Sequence, residues 1–179
     1  MKLLLFGNVG CGKSAISLEI LKTYSDFNIL NIDNFRREFG DGSMEKEILA
    51  KRQFIQAIDK NNENQIIECS GLGDTGEMLI ERLLKSKDNK IVVVLLTEPS
   101  ICIERLKNRI WDIPYPDKTS NVNKLIEKQN SIYQSNLLKV EWQNLENVIF
   151  IDCINNNKDD YQLNCQKIKS IINETKSNN

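Results

Sequence analysis

The chain has 179 residues, enough for one domain with a full hydrophobic core and short for two. A net charge of −1 gives no overall basic field to draw in nucleic acid, although 24 lysines and arginines leave room for a local basic groove. Histidine is absent, which excludes a Ser-His-Asp hydrolase, a Cys-His nucleophile and every His-ligated metal site; a general base must be a carboxylate, lysine, tyrosine or cysteine.

The first predicted element is the apolar run Lys2 to Phe6, of strand length. It is too short for a signal-peptide core and leads directly into Gly7-Asn8-Val9-Gly10-Cys11-Gly12-Lys13-Ser14. That stretch matches G-x-x-x-x-G-K-[ST], the phosphate-binding loop. Behind it, Ala15, Ile16, Leu18, Ile20 and Leu21 recur at helical spacing. Strand, glycine-rich turn and helix are the context the motif needs. The glycines let successive amide groups turn inward on phosphate oxygens, and the following helix adds its free N–H groups and positive dipole end. Lys13 reaches the β- and γ-phosphates as a point charge, and the Ser14 hydroxyl sits on Mg²⁺. Cys11 is read as a spacer whose backbone matters.

Further along, Phe27 to Ile32 reads as a second strand and Ser43 to Lys60 as a helix with Met44, Ile48, Ile55 and Ile58 near one face. Gln65 to Cys69 is a third strand, followed by turn residues Ser70 to Asp74 and a short helix through Met78, Leu79, Leu83 and Leu84. Ile91 to Leu96, a continuous apolar run, suits a centre strand. Pro99 opens the next helix, which carries Ile103, Leu106 and Ile110. The prolines between Trp111 and Ser120 make that stretch a loop. Val122 to Leu145 is predicted as one long helix, Val148 to Ile151 as the last strand, and Asp159 to Thr175 as the last helix, with 176–179 a frayed tail. Alternating strands and helices predict a three-layer, doubly wound α/β domain over residues 1–175, with about five parallel strands. Ligands in such folds bind beyond the carboxyl ends of the strands.

Three strand-end features point into that crevice. Asp33 ends the second strand, with Arg36 one helical turn on; Asp33 can take a proton from an acceptor hydroxyl and Arg36 can hold an anionic part of the acceptor, the alternative being a helix N-cap beside a surface arginine. Glu68 ends the third strand, where it binds a Mg²⁺-bound water, an acceptor hydroxyl, or solvent alone. Arg105 and Arg109 share a helix face before the proline-containing loop and can close over a triphosphate. The five cysteines, Cys11, Cys69, Cys102, Cys153 and Cys165, show no metal-ligand or C-x-x-C spacing and fit a reducing cytosol. No stretch approaches membrane-spanning length, and a cytoplasmic location is expected.

With these residues assembled, the sequence resembles the phosphate-loop kinases of small molecules, nucleotides and polynucleotide 5′-ends. The resemblance rests on the loop Gly7 to Ser14, on Asp33-x-x-Arg36, and on Val93-Val94-Leu95-Leu96 leading to Glu104-Arg105-Leu106-Lys107-Asn108-Arg109. It implies ATP·Mg²⁺ held by Lys13 and Ser14, Asp33 as base, Arg36 orienting the acceptor, Arg109 as the arginine of a short lid at about 109–119, and the 153–157 loop bordering adenine. Asp33-x-x-Arg36 is most similar to the kinase module of bacteriophage polynucleotide kinase. A mildly acidic chain with Arg36-Arg37 as the clear basic pair beside the base favours a small hydroxyl acceptor over nucleic acid, such as a nucleoside, sugar or antibiotic. The rival classes are a nucleotide-hydrolysing switch or motor and a non-catalytic nucleotide-binding module. The N-K-x-D signature of a GTPase is absent after the fourth strand, where Leu96-Thr97-Glu98 stands.

Overall fold

The computed structural model describes residues 1–58, 64–84, 86–107, 109, 112–114 and 122–177. Five parallel strands form one sheet: β1 (Lys2–Gly7), β2 (Phe27–Asn31), β3 (Asn64–Glu68), β4 (Lys90–Leu96) and β5 (Val148–Ile154), in the spatial order β2-β3-β1-β4-β5. The predicted three-layer parallel architecture is therefore what the chain adopts. β4 is an interior strand as predicted, paired with β1 and β5, and β1 is the middle of the five; Leu3 lies opposite Ile66 on one side and Ile91 on the other.

The run Leu3-Leu4-Leu5-Phe6 reads as continuous hydrophobicity because alternate side chains enter two different cores. Leu3 and Leu5 pack with Ile16 and Ile20 of α1 (Lys13–Thr23) and with Ile168 and Ile172 of α8 (Lys158–Ser177). Leu4 and Phe6 pack on the other face with Phe54 of α3 (Met44–Ala57), Leu79 and Leu83 of α4 (Gly73–Leu83), and Trp142 of α7 (Leu137–Gln143). All four strand side chains are fully buried, a transfer gain of about 1.5–3 kcal/mol each. Phe6 and Trp142 meet ring to ring at 5.2 Å. Gly71, at φ 72°, comes so close to Phe6 that a Cβ there would sit 2.5 Å from the ring, so only glycine fits.

Several elements differ from their predicted form. The second strand stops at Asn31, because Asn31 caps a helix the periodicity did not separate, α2 (Ile32–Phe39), by accepting a 2.8 Å bond from the Asp33 amide. Asp33 thus lies inside the first turn and is not the cap. In α3 the buried stripe runs through Glu47, Ala50, Phe54 and Ile55, whereas Met44 and Ile48 are exposed. The end of that predicted helix, 59–60, lies outside the described residues. The single helix predicted over 122–145 is two, α6 (Val122–Gln134) and α7, because Asn136 takes a left-handed conformation at φ 59°. The break turns Leu138 and Trp142 inward and leaves Leu137 and Val140 outside. The helix α5 (Pro99–Leu106) begins on proline as predicted; Ile110, and the lid residues 110–111 and 115–119, lie outside the described residues. The last helix continues to Ser177, past the predicted end at Thr175; residues 178–179 lie outside the described residues.

Candidate active site

The loop between β1 and α1 is built as its spacing requires, with Gly7, Gly10 and Gly12 at φ 143°, 81° and 102°. Its outer carbonyls are anchored. Cys11 O accepts from the Asn155 side-chain amide at 2.6 Å and from Thr97 Oγ1 at 3.3 Å. Gly10 O accepts from Arg105 Nη1 at 3.3 Å, and Arg105 Nη2 also donates to Asn155 O and Asn156 O, each at 3.2 Å. Asn8 donates through its side chain to Ile126 O at 3.2 Å, which ties the loop to α6. Asn8 and Cys11 are buried and form the back of the loop. Lys13 curls over its mouth, with Nζ donating to Gly7 O and Asn8 O at 2.8 Å each. At the start of α1 the amides have no intrahelical acceptor, so the mouth presents free N–H groups beside an ammonium.

One step away stand the ends of β2 and β3. Strand register places Asn31 opposite Glu68, and Glu68 Oε2 accepts from Asn31 Nδ2 at 2.9 Å and from Ser14 Oγ at 2.7 Å. Glu68 is only 2% exposed. A hydroxyl and a carboxylate side by side, next to a phosphate cradle, are hard oxygen donors that suit a magnesium ion sharing its shell with phosphates and water. The described residues hold no cluster of three acidic, cysteine or histidine side chains, so such an ion depends on the nucleotide for the rest of its shell.

Asp33 faces the same cleft. Its Oδ1 accepts from Arg36 Nη1 at 3.0 Å, and its Oδ2 lies 3.5 Å from Arg109 Nη2. Arg36 is also held by Glu47, to which its Nε and Nη2 donate at 2.7–3.2 Å. Lys51 extends the network, 3.9 Å from Glu47 and 3.4 Å from Asp74. The cleft encloses about 1180 Å³ and is lined by Lys13, Ser14, Asp33, Arg36, Glu68 and Arg109, among others. That exceeds the roughly 300–1,000 Å³ of a pocket for one small ligand. A second depression, lined by Met1, Asp26 and Asp88, lies at the amino ends of the strands and contains none of these groups.

The predicted residues separate into two groups. Lys13, Ser14, Asp33, Arg36, Glu68 and Arg109 converge on the cleft with Gly7, Val9, Gly10 and Gly12. Arg105 stands apart from that lining: it donates to main-chain carbonyls, where it clamps the loop to the turn after β5. Glu47, Asn31, Thr97 and Asn155 escaped the sequence reading. A Glu at 47 four residues before Lys51 was the one available signal for the first.

Burial disfavours three of the cysteines and one tyrosine for proton chemistry. Desolvation pushes the Cys69 and Cys102 thiols up to about 12 and Cys153 to about 11, so none is a thiolate at neutral pH. Burial likewise raises the Tyr133 hydroxyl, which donates to Ser70 O at 2.7 Å.

No protein-family model and no curated protein sequence matches the chain. Solved structures do. Shikimate kinase from Acinetobacter baumannii in complex with shikimate superposes with a TM-score of 0.64 at 18% identity, covering 98% of this chain and 94% of that one. Deoxyadenosine kinase from M. mycoides with bound dATP gives 0.60 at 18% identity, over 97% and 100% of the two chains. A gluconokinase from Sinorhizobium meliloti 1021 gives 0.60 at 12% identity, over 96% and 94%. The chain has the α/β fold of the phosphate-loop kinases of small molecules and nucleosides.

Proposed function

We propose that this protein is an enzyme that moves the γ-phosphoryl group of ATP to a hydroxyl of a small molecule. The observation that carries the reading is Asp33, which lines one cleft with Lys13 and Ser14 and has two guanidinium groups beside it. The loop amides and Lys13 grip the triphosphate, Lys13 exchanging its two carbonyl partners for phosphate oxygens. Ser14 and Glu68 would hold magnesium, which would neutralise phosphate charge when bound. Asp33 accepts the proton of the acceptor hydroxyl as its oxygen bonds to the γ-phosphorus; the bond to the β,γ-bridging oxygen breaks, and its electron pair leaves on ADP. Arg109 faces the charge that develops between the two. The lid assigned to 109–119, most of which lies outside the described residues, belongs to the same proposal, as does an adenine site beside the turn after β5, residues 155–157. No described helix is long and apolar enough to cross a membrane, and a cytoplasmic location belongs to the same proposal.

Shikimate, deoxyadenosine and gluconate appear in the names of proteins with this fold, which supports a small hydroxyl acceptor. A polynucleotide 5′-hydroxyl is the second reading. It is favoured by Lys124 and Lys128, one helical turn apart on α6, which line the cleft without an ion-pair partner among the described residues. The test is γ-labelled ATP with Mg²⁺ and, in turn, shikimate, gluconate, deoxyadenosine and a 5′-hydroxyl oligonucleotide. Label on a small alcohol is the expected result. Label on the oligonucleotide alone selects the second reading, label only in free phosphate makes the protein a hydrolase, and no turnover leaves a nucleotide-binding module.

A further inference from the structure

Arg36 stands between two carboxylates and treats them differently. Toward Glu47 it turns the side edge of the guanidinium, with Nε donating to Oε1 at 3.2 Å and Oε2 at 3.0 Å and Nη2 donating to Oε1 at 2.7 Å. Toward Asp33 it turns Nη1, which meets Oδ1 at 3.0 Å. A guanidinium is a rigid plane, so fixing one edge fixes the direction of every other N–H. Glu47 is itself well fixed. Its side chain is 7% exposed and belongs to the buried stripe of α3, one turn after a helix start capped by Ser43, which accepts from the Lys46 amide. Burying a carboxylate this deeply is costly and is often matched or bettered by apolar packing, so stability alone is a poor account of its presence.

We propose that Glu47 is a positioning residue for phosphoryl transfer: by gripping Arg36 side-on, it sets the direction from which Arg36 meets Asp33 and hence the aim of the Asp33 carboxylate at the acceptor oxygen. Arg36 is then an internal strut, and the acceptor-holding role drawn from its place in the sequence passes to other groups. This inference rests on Asp33 being the base. Its energetic lever is alignment, where a displacement of about 1 Å costs on the order of 100-fold in rate.

The test reads label transfer from γ-labelled ATP·Mg²⁺ to whichever of shikimate, gluconate and deoxyadenosine accepts, or to water where none does. Glu47→Ala is expected to lower kcat by about 100-fold while KM for ATP stays within twofold. Glu47→Gln keeps the volume and one carbonyl oxygen for Arg36; it restores part of that loss and stands in should the alanine variant fail to fold. The discriminating measurement is the same change in an Asp33→Asn background. A residue that acts only through Asp33 has nothing left to position, so Glu47→Gln then changes kcat by less than twofold. Wild-type kcat in Glu47→Gln, a matching rise in KM for ATP, or an undiminished effect in the Asp33→Asn background overturns the inference. Failure of the underlying reading looks different: Asp33→Asn alone then turns over at the wild-type rate.

Discussion

The two halves of the cleft are constructed by different means. The half proposed to hold nucleotide is one unbroken stretch, Gly7 to Ser14, whose working groups are main-chain amides aimed by positive-φ glycines. The opposite half is side-chain work from four places in the chain: Asp33 and Arg36 on α2, Glu47 and Lys51 on α3, Asp74 on α4 and Arg109 after α5. A backbone cradle is set by local sequence and tolerates change at its spacer positions. A side-chain network is set by tertiary packing, and each member depends on its neighbours. The first is suited to a ligand that is always the same, the second to one that varies between related folds.

The sharpest way to separate the halves is Asp33→Asn. Transfer is expected to fall by about 10²–10⁴-fold, the usual worth of a general base, while ATP affinity measured by calorimetry holds. Equal losses of both would mean that the halves are not separable. Lys13→Ala tests the other side and is expected to weaken nucleotide binding and transfer together, transfer by roughly 10²–10³-fold, the typical cost of one lost charge-stabilising donor. Asn155→Ala removes the buried bond to Cys11 O behind the loop and leaves that carbonyl with the longer Thr97 contact. It should cost about 1–3 kcal/mol, visible as a lower melting temperature and a raised KM for ATP with little change in acceptor KM. The smallest effect belongs to Arg37→Ala. Arg37 pairs with Asp112 at 2.9 Å, but both side chains are more than a third exposed, so the melting temperature should barely shift. A larger loss there would mean that the segment around Asp112 is bound to α2 more firmly than a surface pair allows.

What the sequence discloses follows the same division. The strand-loop-helix around Lys13, the parallel α/β class and the strand-end position of Glu68 rest on short-range pattern, and the chain adopts them; Asp33 instead falls in the first turn of α2, because the cap at Asn31 ends the strand two residues earlier. The break at Asn136 was hidden because the apolar spacing on either side runs on as if one helix continued, while a single left-handed residue redirects the chain. Glu47 was hidden because a charged residue in an amphipathic helix reads as solvated; only the packing of α3 against α2 brings it to Arg36. The carbonyl contacts of Arg105 were hidden for the converse reason. Its spacing with Arg109 is helical, but the carbonyls it binds, Gly10, Asn155 and Asn156, come from two distant loops that no local pattern joins.

The pairing of β2, an edge strand, with β3 has one more consequence. Asn31 and Glu68 face each other in a single register, and a slip of one residue would turn Asn31 to the opposite side of the sheet. Correct zipping of the outermost strand is therefore an assembly checkpoint. A chain that has mis-zipped there can still close its glycine loop on a triphosphate, yet lacks both the amide beside Glu68 and the carboxylate two residues further on. On the proposed function, such a molecule would hold its nucleotide and deliver nothing.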